Sequence, residues 1–405
     1  MLHFYQGKDS LLKEESEERQ ISTIKAKIAG FFDMKNVCFL FGSGTSTTAI
    51  PKMSVMMDEV KDAISGKLNE KQKETFENVS KKNDYNLEEV LGVLYSKKAY
   101  LEGIELSESG AKRLQDTEGL IKEIEHAIFD CLNVNTSNED YEKVLSAYQN
   151  FYKRMALRNK DHSRICVFTT NNDLFNERAL DSLNIHYING FTGGLNRFFN
   201  PALFNYSMSK RMDTSIDKFE PIENLIYLYK IHGSINWIED EKMNSNTYFK
   251  IRELVDPNIE ANNVLIYPTP LKQNKSLGSP YVDLFREFQH KMLEPNTVLF
   301  VLGYSFNDEH VNDIIYRALA TNSTMNLIIF GNLKADKTIT KISDNRIFRL
   351  FETDLEEGKV PLHYFERVVE DILPDLDAFK QEDALLHKFI EQLDESRNAK
   401  HDEDR

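Results

Sequence analysis

The sequence predicts an α/β protein: a Rossmann-like, doubly wound parallel sheet with a large helical insertion and a C-terminal helical segment. Three observations predict it. Short, continuously apolar runs such as Asn36–Phe41 (NVCFLF) and Thr297–Leu302 (TVLFVL) read as strands covered on both faces, since a half-exposed strand would alternate with polar residues. Helical patterns separate several of these runs, as parallel strands require for their crossovers. Between the first two strong strands, residues 61–161 repeat Lys, Glu and Leu with helical spacing and carry few strand signals. That stretch reads as an inserted block of helices.

Along the chain, residues 1–35 form an N-terminal segment whose helix, Leu11 to Phe32, places Ile21, Ile24 and Ile28 on one side. The strand at Asn36–Phe41 leads into the turn Gly42-Ser43-Gly44-Thr45-Ser46, with a helix from Ile50. After the insertion, strands are expected at Arg164–Thr170, Ile185–Ile188, Leu225–Ile231, Val264–Tyr267, Thr297–Leu302 and Asn326–Phe330. Helices are expected at Val282–Leu293 and Asp308–Leu319. One α/β domain thus spans 36–335. Residues 336–405 follow as a separate segment, with a helix near Asp383–Leu393 and a polar tail from Asp394.

Composition narrows the class. With 41% hydrophobic residues, 26 Phe and 17 Tyr, the chain can build a packed interior. Its net charge of -15 repels a phosphate backbone, so no direct nucleic-acid binding is expected. Lys81-Lys82 and Lys97-Lys98 sit among acids at helical spacing and read as solvated helix faces. Cys38, Cys131 and Cys166 are the only cysteines and form no CxxC pair, which excludes a four-thiolate zinc ribbon; no zinc or other metal is expected. Cys38 and Cys166, inside apolar runs, read as buried thiols of a reducing compartment. The N-terminus reads as neither signal peptide nor membrane span, so a cytoplasmic location without membrane contact is expected.

Four polar clusters follow four predicted strands, where open parallel sheets bind ligands. Gly42, Ser43, Gly44, Thr45 and Ser46 suit a phosphate cradle, with glycines for close approach and helix N–H groups for charge. The same turn, lacking the third glycine of a dinucleotide fingerprint, also fits a plain βα connection. In Thr169-Thr170-Asn171-Asn172-Asp173, Asn171 offers both a donor and an acceptor, whereas Asp173 fits either a ribose contact or the cap of the next helix. His232, in Lys230-Ile231-His232-Gly233-Ser234-Ile235-Asn236-Trp237, suits general-base work near neutrality or a structural role. Trp237 reads as core or pocket wall. Gly303-Tyr304-Ser305-Phe306-Asn307-Asp308 fits a nucleotide turn or a simple loop, with Asn307 or Asp308 capping a helix.

Taken in order, GSGTS, TTNND, KIHGSINW and GYSFND resemble the bacterial sirtuin-like family, whose members act as NAD hydrolases in antiphage defence. The similarity runs from about Val37 to Gly331, interrupted by the insertion. It implies that Gly42, Ser43, Gly44, Thr45 and Ser46, with Thr170, hold the dinucleotide and that Asn171 contacts the nicotinamide ribose and attacking water. It implies support from Asp173, His232 as base or orienter, and Gly303 and Ser305 on the adenosine half. NAD is then a substrate, with no tightly bound cofactor. Two departures stand out: the zinc module of sirtuins is missing, which disfavours protein deacylation, and Asn172 replaces a hydrophobic residue. A non-catalytic NAD or ADP-ribose sensor governing assembly is the alternative from another class. The resemblance extends to proteins paired with a HerA-type ring ATPase; homo-oligomerisation is expected ahead of any named regulator.

Overall fold

The computed structural model describes residues 1–104, 107–134, 138–155, 162–212, 218–239, 250–258, 263–265, 279–355 and 358–374. Its strands in chain order are β1 (Leu2–Gln6), β2 (Asp9–Ser10), β3 (Asn36–Phe41), β4 (Cys166–Thr169), β5 (His186–Ile188), β6 (Phe191–Thr192), β7 (Arg197–Phe199) and β8 (Ser209–Arg211). There follow β9 (Phe219–Pro221), β10 (Leu225–Lys230), β11 (Gly233–Glu239), β12 (Ile251–Glu253), β13 (Asn263–Leu265), β14 (Thr297–Leu302), β15 (Asn326–Phe330) and β16 (Ile347–Glu352). The main sheet has the order β2-β1-β16-β15-β14-β3-β4-β10-β5. From β16 to β5 every neighbouring pair is parallel, and β1 closes that edge antiparallel on β16.

From β3 the chain builds outward through β4, then crosses back to build β14, β15 and β16 on the other side. The strand order therefore reverses between β3 and β14. Such a switch point leaves a crevice above the carboxyl ends of the strands.

Side-chain alternation explains why these runs are apolar throughout. On β3, Val37, Phe39 and Phe41 enter one core and Cys38 and Leu40 the other. The first core is covered by α1 (Glu17–Ala29), by α2 (Met53–Ile64), by the inserted helices α3 (Glu70–Lys82), α4 (Leu87–Glu102), α5 (Glu108–Leu132) and α6 (Glu139–Met155), and by α7 (Phe175–Ser182). The second is covered by α8 (Tyr281–Leu293), α9 (Glu309–Thr321), α10 (Thr338–Lys341) and a smaller antiparallel sheet, β13-β11-β12-β7-β6. A last helix, α11 (Phe365–Asp371), returns to the first face. Both faces are thus packed, which is the doubly wound arrangement the sequence predicts.

The insertion packs directly on the sheet. On α6 the buried positions Tyr141, Val144, Ala147, Tyr148, Phe151, Tyr152 and Met155 recur at helical spacing, and Phe151 meets Phe39 and Phe41 at centroid distances of 4.9 and 5.1 Å. Burying each such ring is worth roughly 2–3 kcal/mol. Caps mark the helix starts: Asn69 and Gln72 form a reciprocal box on α3, and Asn86 accepts from the N–H groups of Glu88 and Glu89 on α4.

Several expectations change. Residues 1–35 and 336–405, set apart in the sequence, supply β1 and β16 to the one sheet, so the sheet does not end at 335. Their patterns are hard to read because β1 has mostly intermediate burial and β16 alternates toward the end. The run at Val264 contributes β13 to the smaller sheet, antiparallel to β11, rather than a parallel strand; Tyr267 lies outside the described residues. The helix after the glycine turn begins at Met53, later than Ile50. Asp383–Leu393 and the polar tail lie outside the described residues. Among the described residues, no helix is long and apolar enough to cross a membrane.

Candidate functional site at the sheet switch point

Loops after β3, β4, β10 and β14 converge over the switch point. The glycines of two of them touch back to back. A Cβ on Gly44 would lie 2.5 Å from the Cα of Gly303, and one on Gly42 would lie 2.6 Å from the Gly303 carbonyl oxygen. Gly303 itself has φ +65°, which favours glycine. These glycines are therefore required by loop-on-loop packing at the seam.

The same packing uses the backbone N–H groups expected to cradle phosphate. Gly42 N–H donates to the Leu302 carbonyl (2.9 Å), Gly44 N–H to Gly303 (2.9 Å), Thr45 N–H to Gly42 (3.0 Å) and Ser46 N–H to Ser43 (3.2 Å). Residues Ser43–Thr45 form a short 3-10 turn, and α2 starts well beyond it. In this conformation the turn presents the exposed Ser43, not a helix N-terminus.

Beneath the turn lies a buried polar network. Asn171, 7% exposed, donates through Nδ2 to Thr45 Oγ1 (3.0 Å) and Ser46 Oγ (3.3 Å). Its own N–H donates to Thr169 Oγ1 at 3.0 Å. With both donors turned inward, Oδ1 is the group Asn171 has to offer a ligand. Thr170 ties this loop to β3 by donating its N–H to the Phe41 carbonyl at 3.0 Å. Asp173, 3% exposed, lies within 3.0 Å of Ser46 Oγ and accepts the N–H of Phe175 at 3.1 Å, so it stabilises the turn into α7. Burial pushes its carboxyl above the usual range against the opposing charge of Lys230.

Sequence reasoning missed Tyr148. Its hydroxyl, fully buried on α6, lies 2.7 Å from Thr45 Oγ1 and 3.1 Å from Ser46 Oγ. No local signal could have separated it from the apolar stripe in which it sits.

On the other side, His232 occupies the tight turn between β10 and β11, made possible by Gly233 at φ +82°. Its Nε2 meets Asp308 Oδ2 at 2.9 Å, although the two residues follow strands separated by β3 and β4. Asp308 also caps α9 by accepting the N–H groups of His310 and Val311 at 2.8 and 3.1 Å. Burial alone would raise its carboxyl; the bond and charge of His232 and the Val311 N–H outweigh that and lower it to about 2. The Asp308 contact leaves Nδ1 as the ring nitrogen not engaged by the carboxylate.

Asn172 joins the two groups. Its side chain donates to the carbonyls of His232 (2.8 Å) and Gly233 (3.3 Å), so its amide clamps the histidine turn. Lys230, fully buried, adds a second tie by donating to the Asp173 carbonyl and to Ser234 Oγ (2.7 Å), with its charge matched by Glu177 at 3.0 Å. Ser305 is exposed, and Trp237 is core, packed 4.9 Å from Phe191. Among the described residues no three His, Cys, Asp or Glu side chains come together as a metal site.

Comparison with known proteins places a label on part of this arrangement. Residues 165–346 match the model of the SIR2-like domain, a segment carrying the loops after β4, β10 and β14 but not the glycine turn after β3. That segment is similar to the SIR2-like domain. Comparison with curated proteins gives no match. Among solved structures, a chain described under "Structural Basis for the Mechanism and Regulation of Sir2 Enzymes" is 11% identical, with a TM-score of 0.37, covering 88% of this chain and 98% of that one.

Proposed function

We propose that the protein is an NAD glycohydrolase, cleaving NAD with water to nicotinamide and ADP-ribose. The supporting observation is the convergence, above the switch point of a sheet with a SIR2-like segment, of an inward-pinned amide at Asn171 and a carboxylate-held imidazole at His232. In the reaction the bond between nicotinamide and the ribose C1′ breaks, its electron pair neutralising the pyridinium ring. Positive character builds on C1′, and a water oxygen forms the new bond there.

Asn171 Oδ1 is the acceptor that would hold and orient that water. His232, kept in place by Asp308, would bind a ribose hydroxyl or take the proton water releases. No metal is needed, because the developing cation is met by oriented amide and hydroxyl dipoles. The direct test is incubation of the full chain with NAD and chromatographic quantification of nicotinamide; intact dinucleotide, with or without a partner, would sink the proposal.

Control belongs to the same reading. Asn171 is buried and the turn N–H groups are taken by protein carbonyls, as expected of an enzyme held off until assembly or a partner opens the crevice. We extend the proposal to NAD depletion in antiphage defence, governed by self-assembly or by a HerA-type ring ATPase. Activity measured across oligomeric states and with such an ATPase checks it. A non-catalytic sensor would bind ADP-ribose and change assembly without turnover.

A further inference from the structure

Below the crevice, the second core holds two thiols side by side. Cys38 of β3 and Cys166 of β4 are direct partners in the parallel register, and both side chains enter that core. Adjacent strands run about 4.8 Å apart, inside the Cα separation of roughly 4.4–6.8 Å that a disulfide spans. Polar groups from two further elements stand beside the pair. Lys291 of α8 acts on both thiols, and Tyr229 of β10, fully buried, has its hydroxyl next to Cys166 with no hydrogen-bond partner among the described residues. The hydrogen bond between the thiols, and then the charge of Lys291, hold Cys166 below its ordinary value against burial and Glu294. The same bond, with burial, pushes Cys38 up. Cys131 is the more accessible thiol and differs in kind. It donates to Glu59 at 3.4 Å, and burial together with that carboxylate pushes it up to about 12.

We infer that Cys38 and Cys166 are an oxidisable dithiol, which hydrogen peroxide converts to a disulfide joining β3 to β4 and which thiol reductants restore. Cys166 attacks the peroxide: a sulfur–oxygen bond forms, the oxygen–oxygen bond breaks, and the departing hydroxide takes the proton Cys166 released, becoming water. The Cys38 sulfur then attacks the Cys166 sulfur. The disulfide forms, the sulfur–oxygen bond breaks, and the leaving oxygen departs as water with the Cys38 proton. Two thiols lose two electrons and two protons, and one peroxide becomes two waters. Burial at 1% and 4% exposure admits only a small oxidant, and Lys291, whose side chain is 23% exposed, links the pair to solvent. Burial also favours the second step, because Cys38 is then the only thiol within reach. The bridge would lie under the orienting half of the site, since β3 and β4 lead into the loops carrying Thr45, Ser46 and Asn171.

The bridge stands or falls apart from the hydrolase reading. The folded full chain, freed of reductant, is treated with hydrogen peroxide, blocked with iodoacetamide in denaturant, digested without reduction and analysed by mass spectrometry. A crosslinked peptide pair joining Cys38 to Cys166, two hydrogens lighter than its separate thiol forms and split by dithiothreitol, is the expected product. Cys131→Ser should bridge as the wild type does. Cys166→Ser should leave Cys38 as an alkylatable thiol, because the sulfur that attacks peroxide is gone. Lys291→Met keeps an apolar stem of similar length without the charge and should slow bridging about three- to tenfold. Bridging seen only after unfolding in urea would overturn the inference. So would peroxide consuming Cys131 while Cys38 and Cys166 remain free thiols. Both results come from the wild-type protein, so a substitution that fails to fold does not blunt them.

Discussion

The two polar groups over the switch point are built in opposite ways. On the β3–β4 side, Thr45, Ser46, Tyr148, Asn171 and Asp173 are all buried and bonded to one another. On the β10–β14 side, the His232 and Asp308 side chains keep 18% and 24% exposure and form an ion pair when the imidazole is protonated. A buried, mutually bonded hydroxyl network is electrostatically strong and rigid, so it fixes geometry. A solvent-reaching imidazole can exchange protons, so it suits transfer. Under the proposed hydrolase reading, the difference assigns one half to orienting the reactants and the other to moving charge.

Substitutions that strip one half at a time break that comparison most severely. Asn171→Ala should lower turnover about a thousandfold, and His232→Ala about a hundredfold, the sizes usual for a lost orienting group and a lost acid–base group. Steady-state kinetics on folded protein would show it; equal losses in both would argue against distinct roles. Next comes the seam. Gly44→Ala forces a Cβ to within 2.5 Å of Gly303 Cα and should cost about 2–3 kcal/mol of stability by overpacking. Urea denaturation measures this, and an unchanged midpoint would mean that the loops part freely.

The smallest effect concerns acid stability. The Asp308 carboxyl is lowered to about 2 in the folded protein, below its ordinary value of 3.8. A depressed carboxylate stabilises the fold above its unfolded pKa, and that contribution disappears as pH falls through the folded one. Asp308→Asn keeps a helix-capping oxygen but loses the charge facing His232. It should be less stable than wild type by about 1–2 kcal/mol near pH 6, the difference shrinking between about pH 4 and 2. A difference that persists at the acid end would assign the effect to packing instead of charge.

Legibility followed burial. Strands β3, β14 and β15 begin and end where the apolar runs do, because a strand covered on both faces must be apolar throughout. β1 and β16 are hidden because partial burial dilutes that signal. Asn171 and His232 could be found as polar residues just past such strands. Asp308 was legible only as a helix cap; that the same carboxylate holds His232 depends on a loop from two strands away. Asn172 looked like a departure from a motif, and its amide turns out to clamp the histidine turn.

By itself the sequence determined the class of sheet, a helical stretch between the first two strong strands and the strand ends that polar loops follow. These follow from hydrophobic periodicity and turn residues, which act over a few positions of chain. Only the tertiary structure decided that the glycines serve a seam between loops, that a tyrosine from the insertion reaches the hydroxyls holding Asn171, and that Asp308 faces His232. Those choices depend on which strands become neighbours. Contacts between residues far apart along the chain leave no local trace.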